Sequence, residues 1–429
     1  MVVIVGAGVV GAATAYYLST TGYGDSPITI LDAAGPAAGA SGRAGAFITN
    51  QPPLFCRGIG NAKDKRGSLF EKSFDLHLQL AKDLKLESFC SVTNYQGVRV
   101  GAFSSKEGNS DNSTGGASEC DKFVIDGRST DDKTSHISSL KKLVENDTGM
   151  QLPGDAALVD PAELVSCMMD KVLNQQNNSF HKGTVSGLEL DSSGSCVTGV
   201  HIESGPLKTI PVSRDEPVVI ALGPWTSRIE DWLQTPMPIE GVLSTSLIYN
   251  DGILESDIGS AFFFDEDSNG CHLEVFGRRD KSLYISGCGE SQVMSTRLMR
   301  SNERPSPTIP CSPDFARASA AQASLQAAGY ERPCVTGTPS TEQSVDTQAC
   351  IRPMSPDGLP VVGKLLENVF VATGGGPWGI TWGPLMGKSL ASLIKEDEDT
   401  PIRLGPLSPR RFDTLVYKTL LKSRSPINT

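Results

Sequence analysis

Residues 2–32 constrain this chain more than any other stretch. Val2-Val3-Ile4-Val5 is an apolar, β-branched run of the kind a buried parallel strand needs. It leads into Gly6-Ala7-Gly8-Val9-Val10-Gly11, three glycines at the G-x-G-x-x-G spacing. Gly6 permits a tight turn, Gly8 admits a pyrophosphate close to the backbone, and Gly11 lets helix and strand pack closely. The alanine-rich run Ala12 to Leu18 then continues as a helix whose free N–H groups open towards a phosphate. Ile28-Thr29-Ile30-Leu31 forms a second strand, and Asp32 closes it in place to hold a ribose hydroxyl. Glycines alone carry little weight. Strand, glycine turn, helix, strand and acid in this order are what a dinucleotide-binding βαβ unit requires. The apolar run from Val2 to Leu18 lacks a basic flank and is shorter than the ~20 residues a membrane span needs.

The chain is 429 residues long, enough for two or three domains with cores of their own. Its net charge of −11 argues against nucleic acid or an anionic membrane as the main partner, because both attract positive surfaces. Ten scattered cysteines form no C-x-x-C and no paired framework. They read as reduced thiols and point to the cytoplasm. The chain enters its first strand at Val2, which leaves no room for a targeting peptide.

After Asp32, residues 35–47 are too rich in glycine and alanine for a core element. Small residues let backbone N–H groups approach a large flat ligand. Ser68 to Leu86 has apolar residues at helical spacing, with His77 in a structural place. Residues 104–118 and 126–139 are polar insertions around a short strand, Phe123-Val124-Ile125. Pro161 to Leu173 reads as a helix with proline in its first turn. Val185 to Leu188 and Val197 to Ile202 read as strands, and Pro217 to Trp225 as a buried strand stopping at a Gly-Pro turn. From Pro236 the pattern changes to longer alternating strands, Leu243 to Tyr249, Ala261 to Phe264, His272 to Phe276 and Leu283 to Gly287, which predict a mostly antiparallel second domain. Ser301 to Phe315, with four prolines, reads as a crossing loop. Near the end, Val369 to Ala372 is a strand, residues 373–384 a glycine turn, and Leu385 to Leu393 a helix. The logic of the N-terminus thus returns late in the chain. These readings predict a discontinuous cofactor-binding domain from 1–50, 150–235 and 343–400, a substrate domain from 51–149 and 236–342, and a tail from 401–429.

Taken together, the glycine motif, Ala40-Ser41-Gly42-Arg43-Ala44-Gly45, Ala221-Leu222-Gly223-Pro224-Trp225, Arg352-Pro353 with Pro356-Asp357-Gly358, and Thr373-Gly374 with Gly379 and Gly383-Pro384 resemble the D-amino-acid-oxidase-like (DAO) superfamily of FAD-dependent oxidoreductases. Within it the chain is most similar to a eukaryotic branch of oxidoreductases known from yeast. The echoes are Ser73-Phe74-Asp75-Leu76-His77, Leu283 to Glu290, and Trp378-Gly379-Ile380.

The resemblance implies an α/β fold: a Rossmann-like FAD-binding domain of the glutathione-reductase type, with a second, mostly antiparallel α+β substrate domain. It implies extended FAD held by residues Gly6, Ala7, Gly8, Val9, Val10, Gly11 and Asp32 at the nucleotide end. Val185 would lie by the adenine, and Ser41, Arg43, Ala44 and Gly45 would line the flavin side. Gly223 and Trp225 would sit at the second strand end. Gly376, Gly379, Ile380 and Thr381 belong to the last glycine turn, with Gly379 and Ile380 facing the flavin N1–C2=O edge. It further implies oxidation of the C–N bond of a small amino acid or amine by hydride transfer to flavin N5, with O2 or another acceptor taking the electrons. Arg352 resembles the carboxylate-binding arginine of glycine oxidase, and is the candidate catalytic residue. Cys350 matches in spacing the cysteine that carries covalent flavin in sarcosine oxidase; a small buried hydrophobe is the alternative. Gly375-Gly376-Pro377 departs from the family's usual His-bearing turn. Two rivals stay open: a nicotinamide-dependent dehydrogenase, and a flavin-retaining interaction partner with little turnover. No metal-ligand spacing is present among the five histidines.

Overall fold

A computed structural model of the chain describes residues 1–23, 26–51, 67–98, 149–204, 207–250, 252–301, 306–308, 311–330, 345–397 and 400–413. The expected strand Phe123-Val124-Ile125 and its flanking insertions lie outside these residues, as does most of the tail.

A six-stranded sheet has the order Val361–Lys364, Val369–Thr373, Val218–Ile220, Val2–Val5, Ile28–Asp32, Ser179–Lys182. All neighbours are parallel except the Val361–Lys364 edge. The chain begins in an inner strand and places its next strand on one side and a distant strand on the other. That reversal opens a crevice at the carboxyl ends of the strands, where ligands of doubly wound sheets bind. Val2–Val5 is wholly buried, as an apolar β-branched run in a covered parallel sheet should be.

Two helices from opposite ends of the chain, Val9–Thr20 and Gly379–Ile394, lie against one another. A methyl group on Gly387 would lie 2.6 Å from the Ala13 Cβ, and one on Gly383 would lie 2.6 Å from Val9 Cγ1. These glycines, four residues apart on one helix face, set the close approach. The second helix starts at Gly379, not at Leu385 as its glycine turn suggested, and Pro384 lies inside it. His77 makes that possible, with its Nε2 3.0 Å from the Ile380 carbonyl oxygen. The helix Gly67–Leu84 covers this pair, with Phe70 edge-on to Trp378 and Trp382 at 4.9 and 5.3 Å.

The second sheet is mostly antiparallel. Glu240–Tyr249 runs through it, bounded by Val345–Met354 on one side and Gln292–Met294 and Leu283–Ser286 on the other. Glu274–Gly277, Ser260–Phe264, Asn94–Val98 and Gly149–Gln151 follow in order. Only the pairing of Ser260–Phe264 with Asn94–Val98 is parallel. Val345–Met354 pairs with Glu240–Tyr249 over ten residues, from Tyr249↔Val345 to Glu240↔Met354. The segment expected to open the last part of the cofactor domain therefore starts as a strand of this sheet. It crosses to the parallel sheet through the bridge Met354↔Gly375 and the Val361–Lys364 strand.

Val185–Leu190 and Val197–Ile202 are strands as expected, and pair with Thr209–Pro211 in a small sheet of their own. The strand before Trp225 ends at Ile220, and Gly223–Arg228 is a 3-10 turn because Pro224 has no N–H to donate to a ladder. A helix not read from the sequence, Phe315–Ala327, closes the proline-rich crossing and is capped by Asp314 accepting from the Arg317 N–H at 3.1 Å. The expected helix at Pro161 spans Pro161–Leu173, with Asp160 as its cap.

Candidate active site

One cavity of about 550 Å³ runs along the crevice and under the antiparallel sheet. Both glycine turns open into it. Gly6, Gly8, Val9, Val10 and Asp32 line one end. Ser41, Ala44, Gly45 and Val185 line its length, with Gly223 and Trp225. Gly376, Gly379, Ile380, Thr381 and Arg352 line the remainder.

Three expected residues do not line it. Ala7 donates its N–H to Asp32 Oδ2 at 2.9 Å and so orients the acid. Gly11 is packed under the turn: a Cβ there would lie 1.9 Å from the Gly6 carbonyl oxygen. Arg43 is turned aside. Its Nη1 donates to the Ala38 carbonyl at 2.7 Å, and its side chain borders a second cavity of about 230 Å³ shared with Cys311 and Cys350. Its own carbonyl accepts from Tyr284 Oη at 3.0 Å and Gln348 Nε2 at 3.1 Å. Arg43 thus ties the small-residue loop to the antiparallel sheet.

The nucleotide end fits FAD. The helix Val9–Thr20 has Gly8 as its N-cap, with no side-chain cap and no acid in its first turn. Its terminal N–H groups are therefore open to an anion, and the helix dipole favours one. Val9 N–H alone is taken, by Ser41 Oγ at 3.0 Å. A Cβ on Gly8 would come within 3.0 Å of the same oxygen, so a side chain would fill the cradle. Asp32 accepts from Ala7, Ala34 and Gly35 N–H groups at 2.9, 2.8 and 2.8 Å. A carboxylate has about four lone-pair sites, so one remains for a ribose hydroxyl.

The other end is built from the last helix. It too has no side-chain cap and no acid in its first turn. Pro384 cannot donate to the Ile380 carbonyl four residues earlier. His77 replaces that donor: its Nε2 lies 3.0 Å from the Ile380 oxygen and 3.2 Å from that of Thr381. Because both partners are acceptors, Nε2 carries the proton. Burial pulls the imidazole down to about pKa 4, against the raising effect of those two hydrogen bonds, so it is neutral at pH 7. Thr381 Oγ1 donates to the Phe47 carbonyl at 3.2 Å, and Thr373 Oγ1 to that of Gly223 at 2.9 Å. These bonds lock the turn to the neighbouring strand ends.

One face of the antiparallel sheet forms the wall opposite. Strand alternation places Ser244 and Ser246, Cys350 and Arg352, Tyr284 and Ser286, and Glu274 and Phe276 on it, all bordering the cavity. Phe47, Phe276 and Tyr284 stack in a column with centroid spacings of 5.3 and 6.2 Å, and Arg278 caps it 4.4 Å from the Tyr284 centroid. Gly45 abuts the column: a Cβ there would meet Tyr284 Cε1 at 2.7 Å and Phe276 Cε2 at 2.8 Å. Burial, then the nearby Cys350, holds the Tyr284 phenol above its ordinary range. Burial also pushes the Cys350 thiol up, with Arg352 and Arg43 opposing. Arg352 Nη2 donates to Ser244 Oγ, which lies 3.1 Å from Ser291 Oγ. Its Nε is buried without a partner among the described residues. The wall residues other than Arg352 and Cys350 were not picked out from sequence. Their signal is the period-two spacing of Ser244 with Ser246 and of Tyr284 with Ser286, which names a face without saying what it faces.

No metal-binding cluster of His, Cys, Asp or Glu occurs among the described residues, and no described helix is long and apolar enough to cross a membrane. Among known proteins, the chain is 24% identical to a Schizosaccharomyces pombe protein named as an oxidoreductase, over 95% of this chain and 97% of that one. Its fold matches that of L-proline dehydrogenase from P. horikoshii, with a TM-score of 0.63 at 17% identity over 96% of this chain and 97% of that one. Glycine oxidase from Geobacillus kaustophilus matches equally, with a TM-score of 0.63 at 17% identity over 96% and 98%. The profile of the DAO family, FAD dependent oxidoreductases, matches residues 1–393. The chain belongs to this FAD-dependent oxidoreductase family.

Proposed function

We propose that the protein oxidises the C–N bond of a small amino acid or amine. One observation carries this reading: Arg352 borders the cavity into which both glycine turns open. A guanidinium fork suits a carboxylate, and among the described residues only its Nη2 has a hydrogen-bond partner, which leaves Nη1 to donate. The Ser244 hydroxyl holds the fork on the wall. FAD, when bound, supplies the two-electron acceptor for such an oxidation. The chain's own part is to bind and orient. Gly6, Gly8 and Asp32 hold the nucleotide end, and the uncapped Gly379–Ile394 helix directs its positive dipole end at the flavin side. The aromatic column and the sheet face keep water from the reacting carbon. No side-chain base is required if the amine binds neutral. O2 or another electron acceptor then takes the electrons.

All seven cysteines among the described residues are unpaired, which supports a reducing, cytoplasmic setting. The test is an anaerobic panel: purified holoprotein is mixed with amino acids and amines, and the flavin colour is followed. Bleaching by a carboxylate-bearing amine supports the reading. A yellow protein that no member bleaches sinks it in favour of a flavin-retaining interaction partner.

A further inference from the structure

Among the described residues bordering the main cavity, four are Asp, Glu, Lys or Arg: Asp32, Glu274, Arg228 and Arg352. Three have work already assigned by their surroundings. Asp32 is held by three backbone N–H groups at the nucleotide end, Arg228 lies 5.8 Å from the Trp232 ring, and Arg352 rests on Ser244. Glu274 is left over. It is half-buried, and accepts from Ser286 Oγ at 2.8 Å. No Lys or Arg among the described residues forms an ion pair with it. A half-buried carboxylate with no basic partner is free to pair with a cation that enters the cavity.

The surroundings suit such a cation. Phe263 is Glu274's register partner on the next strand, and Phe276 is two residues on along its own; both border the cavity. Aromatic rings beside a carboxylate favour an ammonium. The register also fixes how far this corner lies from Arg352. Glu274↔Ser286 and Ser246↔Gln348 belong to one row across the sheet, joined by Leu247↔Ile285 one step along. Arg352 is three strands away and four residues along, about 14 Å across and about 13 Å lengthwise. An α-amine is one carbon from its own carboxylate, so a substrate held at Arg352 keeps that amine away from Glu274. Backbone to backbone, Arg352 and Glu274 are about 19 Å apart, but both side chains lean inward: Arg352 Nη2 reaches Ser244 Oγ on the neighbouring strand, and Glu274 reaches Ser286 Oγ on its own neighbour. Ser244 and Ser286 lie one strand apart and two residues along, about 8 Å, a span that a cation at the end of a methylene side chain covers.

We propose that Glu274, with Phe263, Phe276 and Ser286, is a subsite for a cationic group at the far end of the substrate, so that the preferred substrate is an amino acid with a positively charged side chain. This rests on the reading that a substrate carboxylate binds at Arg352.

The test compares lysine with norleucine, which keeps the chain and lacks the charge, in each enantiomer, by anaerobic bleaching of the holoprotein flavin. The expected result is a half-saturating concentration about tenfold or more lower for lysine than for norleucine, as a charge-assisted pair would give. In Glu274→Gln that ratio falls to about twofold or less. Nε-acetyl-lysine, measured on the unaltered protein, behaves as norleucine does, so the test survives a variant that fails to fold. Equal response to lysine and norleucine, or a preference that persists in Glu274→Gln, overturns the subsite and leaves the amino-acid reading standing. Bleaching by another amino acid or amine of the panel but by neither of these overturns the subsite alone, and bleaching by no member of the panel overturns both.

Discussion

His77 Nε2 lies 3.0 Å from the carbonyl oxygen of Ile380, the acceptor that Pro384 leaves without its helical donor. The two residues are 303 positions apart, and the contact is fully buried. It lets the last helix begin six residues earlier than its proline suggests, so that Gly379, Ile380 and Thr381 border the cavity. His77→Leu roughly keeps the volume but leaves the Ile380 carbonyl without a donor, and should cost about 1–3 kcal/mol of stability. His77→Gln, which can donate to that carbonyl, should recover part of it. The folded imidazole titrates at about 4 against 6.5 unfolded. A lowered folded value means that the unfolded chain takes up the proton first. Stability is therefore whole above about pH 6.5 and is lost as pH falls towards 4, by about 3 kcal/mol. Thermal melting from pH 7 to 4 should show this slope in the parent protein and a shallower one in His77→Gln.

The glycines of the first turn differ in what they tolerate. A methyl group on Gly11 would lie 1.9 Å from backbone, the Gly6 carbonyl oxygen, so Gly11→Ala should fail to give folded protein. On Gly8 it would meet only the Ser41 hydroxyl, at 3.0 Å, and that side chain can turn away. Gly8→Ala should fold with an apoprotein melting temperature near that of the parent, yet bind FAD about tenfold or more weakly. Equal FAD affinity in Gly8→Ala would show that the cofactor does not approach this backbone.

Some of this site could be read from sequence, and the division has a physical basis. Gly6 to Asp32 was legible because its chemistry is local: the turn, the helix mouth and the acid lie within one supersecondary unit. Arg352 and the last glycine turn were legible by family resemblance. The wall was not, because Tyr284, Glu274 and Ser244 acquire a common face only through strand register, and register is fixed by pairings between distant segments. Arg43 illustrates the converse. Its loop, read as lying against a large flat ligand, borders the cavity, but the side chain turns to the Ala38 carbonyl inside that loop, a choice that composition does not encode. Pro384 misled because a proline's neighbours in sequence do not reveal a histidine standing in for the missing N–H.

Gly45 offers a test of the aromatic column. Its added Cβ would press on Tyr284 and Phe276 together, at 2.7 and 2.8 Å. Both rings are buried and Tyr284 is tied by its hydroxyl to Arg43, so neither yields cheaply. Gly45→Ala should destabilise the protein by about 1–3 kcal/mol. Phe276→Leu in the same chain should return part of that loss, with a coupling of about 1 kcal/mol or more in a double-mutant cycle read by denaturant unfolding. Strict additivity would mean that the loop moves away from the sheet instead of meeting it.

Arg352 decides whether the wall recognises a carboxylate. Its fork is placed by Ser244 from the facing strand, so its donors are aligned before any ligand arrives. Arg352→Ala should raise KM for a carboxylate-bearing substrate by ~10²-fold or more, corresponding to the loss of a charge-assisted pair worth ~3 kcal/mol. Arg352→Lys keeps the charge and loses the fork, and should fall between the two. Ser244→Ala should raise KM less, because it loosens the guanidinium without removing it. The decisive control is the matching amine with the carboxylate absent. If Arg352 acts only on the carboxylate, the parent and Arg352→Ala handle that amine with the same KM. A parallel loss on both compounds would assign Arg352 to the packing of the sheet face, and carboxylate recognition would have to be sought elsewhere on the wall.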